Sequence, residues 1–462
     1  MTKMKITLED LFNLPGAVIY NPDDFRKATS ISTDTRTIKK DSIFFALKGN
    51  KFDGHNFINE AAAKGASAVV INKSRLKDFD KVNCTIVTVR NTILSYGDLA
   101  RTWRGRLRSK VIAITGSNGK TTTKEMLSAL LGRYHTISKT LANNNNHIGV
   151  PLTIFSADNS HDYLILELGT NHFGEIAYTS SIASPDLAVI TNIGDSHLEF
   201  LVDRNGVAKE KLALFNATDQ RNGKVFLNIE DPILRKKASS YKNVITFGFN
   251  ENADVKGELF RSKNSDKPFI KIKKGRKVIK AELPVYGNSN VKNFLIAAAV
   301  ALEAGLTPEQ ITDAVSEIKP VDKRLNVKFV NGFTLVNDTY NANPESMKSA
   351  FAFISSFGDH RTKIAILGDM FELGEKGIEA HKALVRDLKK NKIDEVYTIG
   401  KLMRYVSDGL EGTKIINKHF QNRSKLCKFI ENSKFENSVV LVKGSRGMKM
   451  EEFVKILEAK KV

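Results

Sequence analysis

Residues 111–126 read VIAITGSNGKTTTKEM, placing a short apolar run, a glycine turn and the start of a helix in immediate succession. Val111 to Ile114 are β-branched or small and predict a buried parallel strand. After Thr121, the residues Met126, Leu127, Leu130 and Leu131 recur at helical spacing. Gly116 and Gly119 bracket the turn. Without Cβ atoms there, the backbone N–H groups of Gly116, Ser117, Asn118 and Gly119 can close around a phosphate. The first helical turn, through Thr122, aims its unpaired N–H groups at the same anion. Lys120 supplies a point charge, and Thr121 a hydroxyl suited to a magnesium ion on the β- and γ-phosphates. The usual P-loop spacing would put a first glycine at position 114, which is Ile114, so the match is to the GKT tail with a shorter loop.

Working outward, 462 residues suggest roughly three domains of about 150 each. At 41% hydrophobic and 26% charged, the chain can bury sizeable cores, and no tandem repeat interrupts it. The start, MTKMKITLEDLF, carries acidic residues early and lacks an apolar h-region, so no secretory signal is expected, and no run reaches membrane-span length. Cys84 and Cys427 lie far apart and outside any metal-ligand spacing, which argues against a disulfide framework or zinc site. A cytoplasmic location is expected. Net charge is +20, from 71 Lys and Arg against 51 Asp and Glu. The densest basic piece, FIKIKKGRKVIKAEL at 269–283, alternates Ile270, Ile272 and Val278 with lysines about Gly275. It predicts a hairpin with one solvated face. No aromatic residues interleave with the charges, so nucleic acid is not the expected partner, whereas a polyanionic nucleotide would be drawn in.

The rest of the chain alternates strands and helices. Before the P-loop, a small α/β unit carries Asp34, Thr35, Arg36, Lys48, Asp53, Gly54 and His55 in its loops, as turn and cap residues or as donors to a ligand. After the P-loop helix, LANNNNHIGVP offers Asn144 and Asn145 among four consecutive amides. DYLILELG then places Glu167 at the end of an apolar strand, beside the edge where parallel sheets bind ligands. An acid there is costly unless paired or on a metal. A further strand, Leu187 to Thr191, runs into a loop holding His197, either a satisfied surface histidine or a metal ligand. Lys211 lies in a helical stretch and, from composition, reads as a solvated lysine. An alanine-rich helix follows Asn288, Asn290 and Asn293, and Pro320 marks a linker near residue 322. Beyond it a βα alternation predicts a doubly wound sheet, with Asp338, Asn341, Asn343, Asp369, Lys443, Ser445 and Arg446 all following strand ends.

The ordered set TGSNGKTTT, NNNNHIGVPLT, LELGTNHFGEI, TNIGDSHLE, DTYNANPESM, LGDMFELG and KGSRGM resembles the Mur ligases over nearly the whole chain. The resemblance implies an α/β, three-domain architecture: residues 1–92 binding the UDP substrate, a central P-loop parallel-sheet ATPase domain over 93–322, and a C-terminal Rossmann-like acceptor domain over 323–462. It also implies a monomeric, ATP-dependent, ADP-forming amide ligase of peptidoglycan synthesis, joining D-alanyl-D-alanine to UDP-N-acetylmuramoyl-tripeptide through an acyl phosphate. A sister ligase or a folylpolyglutamate synthetase would run the same chemistry on another acceptor. Carried over, Lys120 and Thr121 serve the ATP phosphates and Mg2+; Thr121, Glu167, His197 and an N-carboxylated Lys211 the metal sites; Asn293, Arg324 and Asp338 the nucleotide. Lys120, Lys211 and His197 are the implied catalytic groups. Thr35, Arg36, Asn144, Asn145, Asn341, Asn343, Lys443, Ser445 and Arg446 are the implied substrate contacts. The chain departs from the family pattern at Ser289, where His is frequent, and at Ala142, Val202 and Lys323, where Gly is usual.

Overall fold

The computed structural model describes residues 4–79, 81–261, 267–358 and 360–460, with the side chain of Arg261 excepted. Three sheets follow one another along the chain. The first has five strands in the order Val18–Tyr20, Thr85–Val89, Ala68–Asn72, Ser42–Phe45 and Ser30–Ser32, parallel except for the first pair. The helix Thr92–Arg106 then leads to the central sheet.

The central sheet has nine strands. Its parallel part runs in the order Val255–Arg261, Val244–Gly248, Lys224–Asn228, Leu187–Ile190, Lys110–Thr115, Tyr163–Glu167 and Ile137–Lys139. The strand entering the glycine turn therefore lies between the strand ending in Glu167 and the one leading toward His197. Apart from the exposed Lys110, all three are buried, which accounts for their apolar runs. The P-loop helix Lys120–Gly132 packs against the helix Asn288–Glu303, whose alanines at 297–299 and 301 are all buried and permit close approach. Two antiparallel strands, Pro268–Lys274 and Lys277–Glu282, close this sheet as the expected basic hairpin. The hairpin's inward face differs from the sequence reading in one place. Ile270 and Ile272 are buried as expected, but Val278 is 41% exposed and Ile279 and Ala281 face the core instead. The register Lys271↔Lys280 and Ile272↔Ile279 fixes this alternation, and a one-residue offset reverses the face.

The third sheet has six strands in the order Asn326–Val330, Phe333–Asp338, Ser438–Lys443, Thr362–Gly368, Glu395–Ile399 and Ile416–Phe420. All pairs are parallel but the first, an antiparallel edge strand that the βα reading did not contain. Its half-exposed residues give it little apolar signal. Asp338 and Lys443 are register partners at the C-terminal ends of adjacent strands. Among the described residues no helix is long and apolar enough to cross a membrane.

Candidate active site

The glycine turn needs its glycines. Gly116 has φ +148° and Gly119 φ +84°; a Cβ on the first would lie 1.9 Å from Thr191 Oγ1, and on the second 2.3 Å from Asn293 Oδ1. The loop is stitched to the neighbouring strand end. The backbone N–H of Asn118 donates to Asn192 Oδ1 at 3.0 Å, its carbonyl accepts from Thr191 Oγ1 at 2.6 Å, and Ser117 Oγ accepts from the Gly194 N–H at 2.9 Å. Thr123, one turn into the helix, donates to Asn293 Oδ1 at 3.4 Å. The ammonium of Lys120 folds back on the Gly116 carbonyl at 2.7 Å. Burial pushes its pKa down and Glu167 opposes that shift, while Arg324 adds to it. An anion on this loop would therefore meet a cation that gains from being neutralised.

Glu167 ends its strand almost fully buried. Its Oε1 accepts from Thr121 Oγ1 at 3.1 Å and from Asn145 Nδ2 at 2.9 Å, while its Oε2 is buried with no hydrogen-bond partner and stands 3.8 Å from Lys124 Nζ. A half-satisfied carboxylate beside a threonine hydroxyl suits a hard cation that takes oxygen ligands. No cluster of three or more acidic, histidine or cysteine ligands occurs among the described residues, so such a cation would complete its shell from phosphate and water. His197 faces elsewhere within the same cleft: its Nδ1 pairs with Glu372 of the third sheet's loops at 2.8 Å, which helps hold the Glu372 carboxyl below its ordinary range.

Lys211 is not the solvated lysine its composition suggests. It sits buried in the helix Arg204–Asp219, and burial, then repulsion from Lys120, push its pKa well down against the pull of Glu210. Glu210 itself is committed to the start of the helix Glu175–Ala183, accepting from the N–H groups of Ile176 and Gly174 at 2.7 Å each and from Thr170 at 3.2 Å.

The third sheet closes over this edge. Arg324 lies 3.8 Å over the Tyr340 ring and donates to Thr121 Oγ1 at 2.9 Å. Lys443 is buried, donating to Asp338 Oδ2 at 2.6 Å and to the Asn341 carbonyl at 2.9 Å. Ser445 is buried too, accepting from the Phe371 N–H at 2.7 Å. The Arg446 N–H donates to Asn341 Oδ1 at 3.3 Å, its guanidinium pairing with Glu451 at 2.9 Å. Asn343 caps the helix Pro344–Ser355 and also donates to Asn118 Oδ1 at 2.9 Å. A cavity of about 930 Å³ results, and Lys120, Glu167, His197, Asn293, Arg324 and Asp338 all line it.

Some expected residues stay outside it. Thr35 and Arg36 remain in the first sheet's loops, where Arg36 pairs with Asp34 and the Thr35 carbonyl accepts from Lys64. Asn144 presses its backbone against Gly149. Asp369, at a strand end, is a structural cap: its Oδ1 accepts from the N–H groups of Leu402 and Met403 at 3.1 and 2.7 Å. Conversely, Asn192, Tyr340, Glu345 and Glu372 line the cleft and did not stand out in the sequence. They lie within the quoted stretches TNIGDSHLE, DTYNANPESM and LGDMFELG, but nothing in their residue types marked them individually.

Comparison with known proteins adds to this geometry. Residues 27–103 match the Mur ligase family catalytic domain, 114–301 the Mur ligase middle domain and 323–446 the Mur ligase glutamate ligase domain. The UDP-N-acetylmuramoyl-tripeptide–D-alanyl-D-alanine ligase of Bacillus subtilis (strain 168) is 32% identical, over 98% of each chain. Among solved structures, MurF from Acinetobacter baumannii superposes with a TM-score of 0.89 at 30% identity, covering 99% of this chain and 100% of that one. MurF from Thermotoga maritima in complex with ADP does so at 0.80 and 29%, covering 93% and 97%. With its three sheets in this order, a glycine turn built for phosphate and likeness along its whole length, the chain belongs to the Mur ligase family.

Proposed function

We infer that the chain is an ATP-dependent, ADP-forming amide ligase that adds D-alanyl-D-alanine to UDP-N-acetylmuramoyl-tripeptide, a step of peptidoglycan precursor synthesis. The observation that carries this reading is the convergence of Lys120, Glu167 and Arg446, from three separate strand ends, on one cleft in a chain similar end to end to ligases bearing that name. In this reading residues 1–92 hold the UDP end through Thr35 and Arg36, 93–322 hold ATP, and 323–462 present the dipeptide. Asn293, Arg324 and Asp338 take the nucleotide. Asn341 and Arg446 face the dipeptide, with Lys443 holding the Asn341 carbonyl from behind and Ser445 holding the Phe371 N–H of the adjoining loop.

Transfer of a phosphoryl group to a carboxylate brings two anions together, so this site's work is positioning and electrostatics. Lys120 leaves the Gly116 carbonyl to contact the transferring phosphate, and the turn's N–H groups hold the others. Thr121 and the free Oε2 of Glu167 would hold Mg2+, which when bound offsets the charge of both anions. His197 with Glu372 ties the acceptor side to the central sheet. Burial and the neighbouring Lys120 both disfavour the ammonium form of Lys211, and this supports its N-carboxylation by CO2. Product mass tests the acceptor: ATP, the UDP-tripeptide and D-alanyl-D-alanine should yield the UDP-pentapeptide. Product formed with a single amino acid, and none with the dipeptide, would overturn the assignment.

A further inference from the structure

We propose that Glu345 is a positioning residue that couples docking of the third sheet to the shape of the phosphate loop. This rests on the reading that ATP occupies that loop. Both ends of the Asn118 side-chain amide are held by residues from the C-terminal side of the cleft: Asn343 Nδ2 donates to its Oδ1 at 2.9 Å, and its Nδ2 donates to Glu345 Oε2 at 3.4 Å. The Asn118 backbone is meanwhile held by Thr191 and Asn192 of the central sheet. Asn118 is thus the one point in the glycine turn at which backbone and side chain answer to different parts of the molecule.

Glu345 reaches two more central segments. Its Oε1 lies 3.5 Å from Arg204, the first residue of the helix that carries Lys211, and Arg204 in turn donates to the Ile193 carbonyl at 2.5 Å. Gly194, the next residue, leaves room for this carboxylate because it has no Cβ; one built there would lie 1.7 Å from Glu345 Oε2. The P-loop, the loop after the strand Leu187–Ile190 and the Lys211 helix therefore meet one carboxylate that arrives from the opposite side of the cleft. Glu345 follows Asn343 and Pro344 at the start of the helix Pro344–Ser355, so the capped end of that helix fixes its direction. These contacts form only when the third sheet is docked. When it swings away, the carboxylate is rehydrated and the Asn118 amide is released. Docking thereby sets the loop that grips the phosphates, while undocking loosens it without breaking the fold of either part.

The charge and the hydrogen-bond acceptor can be separated. Glu345→Gln keeps an acceptor for Asn118 but loses the charge facing Arg204, and Glu345→Ala loses both. Small-angle scattering with Mg2+ and a non-hydrolysable ATP analogue reads docking without turnover. Wild type should reach the radius of gyration of this structure, Glu345→Ala should stay expanded, and Glu345→Gln should fall between. In steady state, Glu345→Ala should lose about tenfold in kcat/KM for ATP, with KM for ATP raised, since docking and nucleotide binding are linked and weakening one weakens the other. Arg204→Ala should cost less on the Glu345→Ala background than in the wild type, the remainder being its separate bond to the Ile193 carbonyl. Identical radii for wild type and Glu345→Ala, a wild type that remains expanded with the analogue, or additive effects of the two alanine variants would each overturn the coupling. The scattering result stands whatever the acceptor proves to be, so a mistaken substrate assignment would show only in the kinetics.

Discussion

Arg324 donates to the Thr121 hydroxyl across 2.9 Å while its guanidinium carbon lies 3.8 Å from the centroid of the Tyr340 ring, so a single side chain ties the segment after residue 322 to the first turn of the P-loop helix. Lysine carries the charge but neither the fork nor the stacking plane. Arg324→Lys should therefore raise KM for ATP by about tenfold, corresponding to about 1.4 kcal/mol, with a smaller change in KM for the dipeptide. Initial rates at varied ATP check this; an unchanged KM would remove Arg324 from the nucleotide site.

Lys120→Ala should cut turnover by about two to three orders of magnitude. The ammonium is the one cation hydrogen-bonded inside the glycine turn among the described residues, and loss of such a contact to a developing charge costs several kcal/mol in the transition state, on the order of 10²–10³ in kcat. Phosphate release at saturating substrates is the measurement, and wild-type rates would take the turn out of the mechanism.

What could be read from the sequence was set by locality. The strand, glycine turn and helix at 110–132 form from adjacent residues, so their order alone exposed the phosphate loop. Glu167 was legible because an acid ending an apolar strand has few cheap explanations. Lys211 was not: a helix lysine looks solvated until the fold places it under Lys120, and only family resemblance singled it out. The Glu345, Asn118 and Arg204 cluster was equally hidden, because its members meet across a cleft between distant segments. The conformation at the three positions where the resemblance implies glycine was not read from the sequence. Ala142, Val202 and Lys323 all have positive φ, at 49°, 68° and 60°, a conformation that favours glycine.

Among these three, Val202 bears the greatest strain. It is β-branched, has φ 68° and ψ −60°, and stands exposed between the short helix Leu198–Leu201 and the Asp203 cap of the next helix. Such a conformation costs about 1–3 kcal/mol, against roughly 0.5–1 for the added freedom of glycine in the unfolded chain. Val202→Gly should therefore stabilise the protein by about 1 kcal/mol and raise its thermal midpoint by a few degrees. A lowered midpoint in calorimetry would show that the strain is absent.

Acid should weaken the junction between the helix Leu8–Phe12 and the helix Thr92–Arg106. Burial raises the Asp10 pKa, but hydrogen bonds from Arg106 and from the backbone and hydroxyl of Thr7 more than offset this and leave it below its ordinary 3.8. A carboxyl whose pKa is lowered on folding contributes stability above its unfolded pKa and loses it as pH falls through the folded one. Asp10→Asn should thus be less stable than wild type at pH 7, by about 1.5–3 kcal/mol for a charge-assisted hydrogen bond, with the gap closing below pH 3.8. Denaturant titrations at the two pH values check this; a gap that persists in acid would deny the pairing.

The most direct test of the whole account is inorganic phosphate release from ATP with each of the other two substrates omitted in turn. Steady release should require UDP-N-acetylmuramoyl-tripeptide and D-alanyl-D-alanine together, with no sustained release from either alone. Sustained release with neither present, or none with both, would contradict a cleft built to join them.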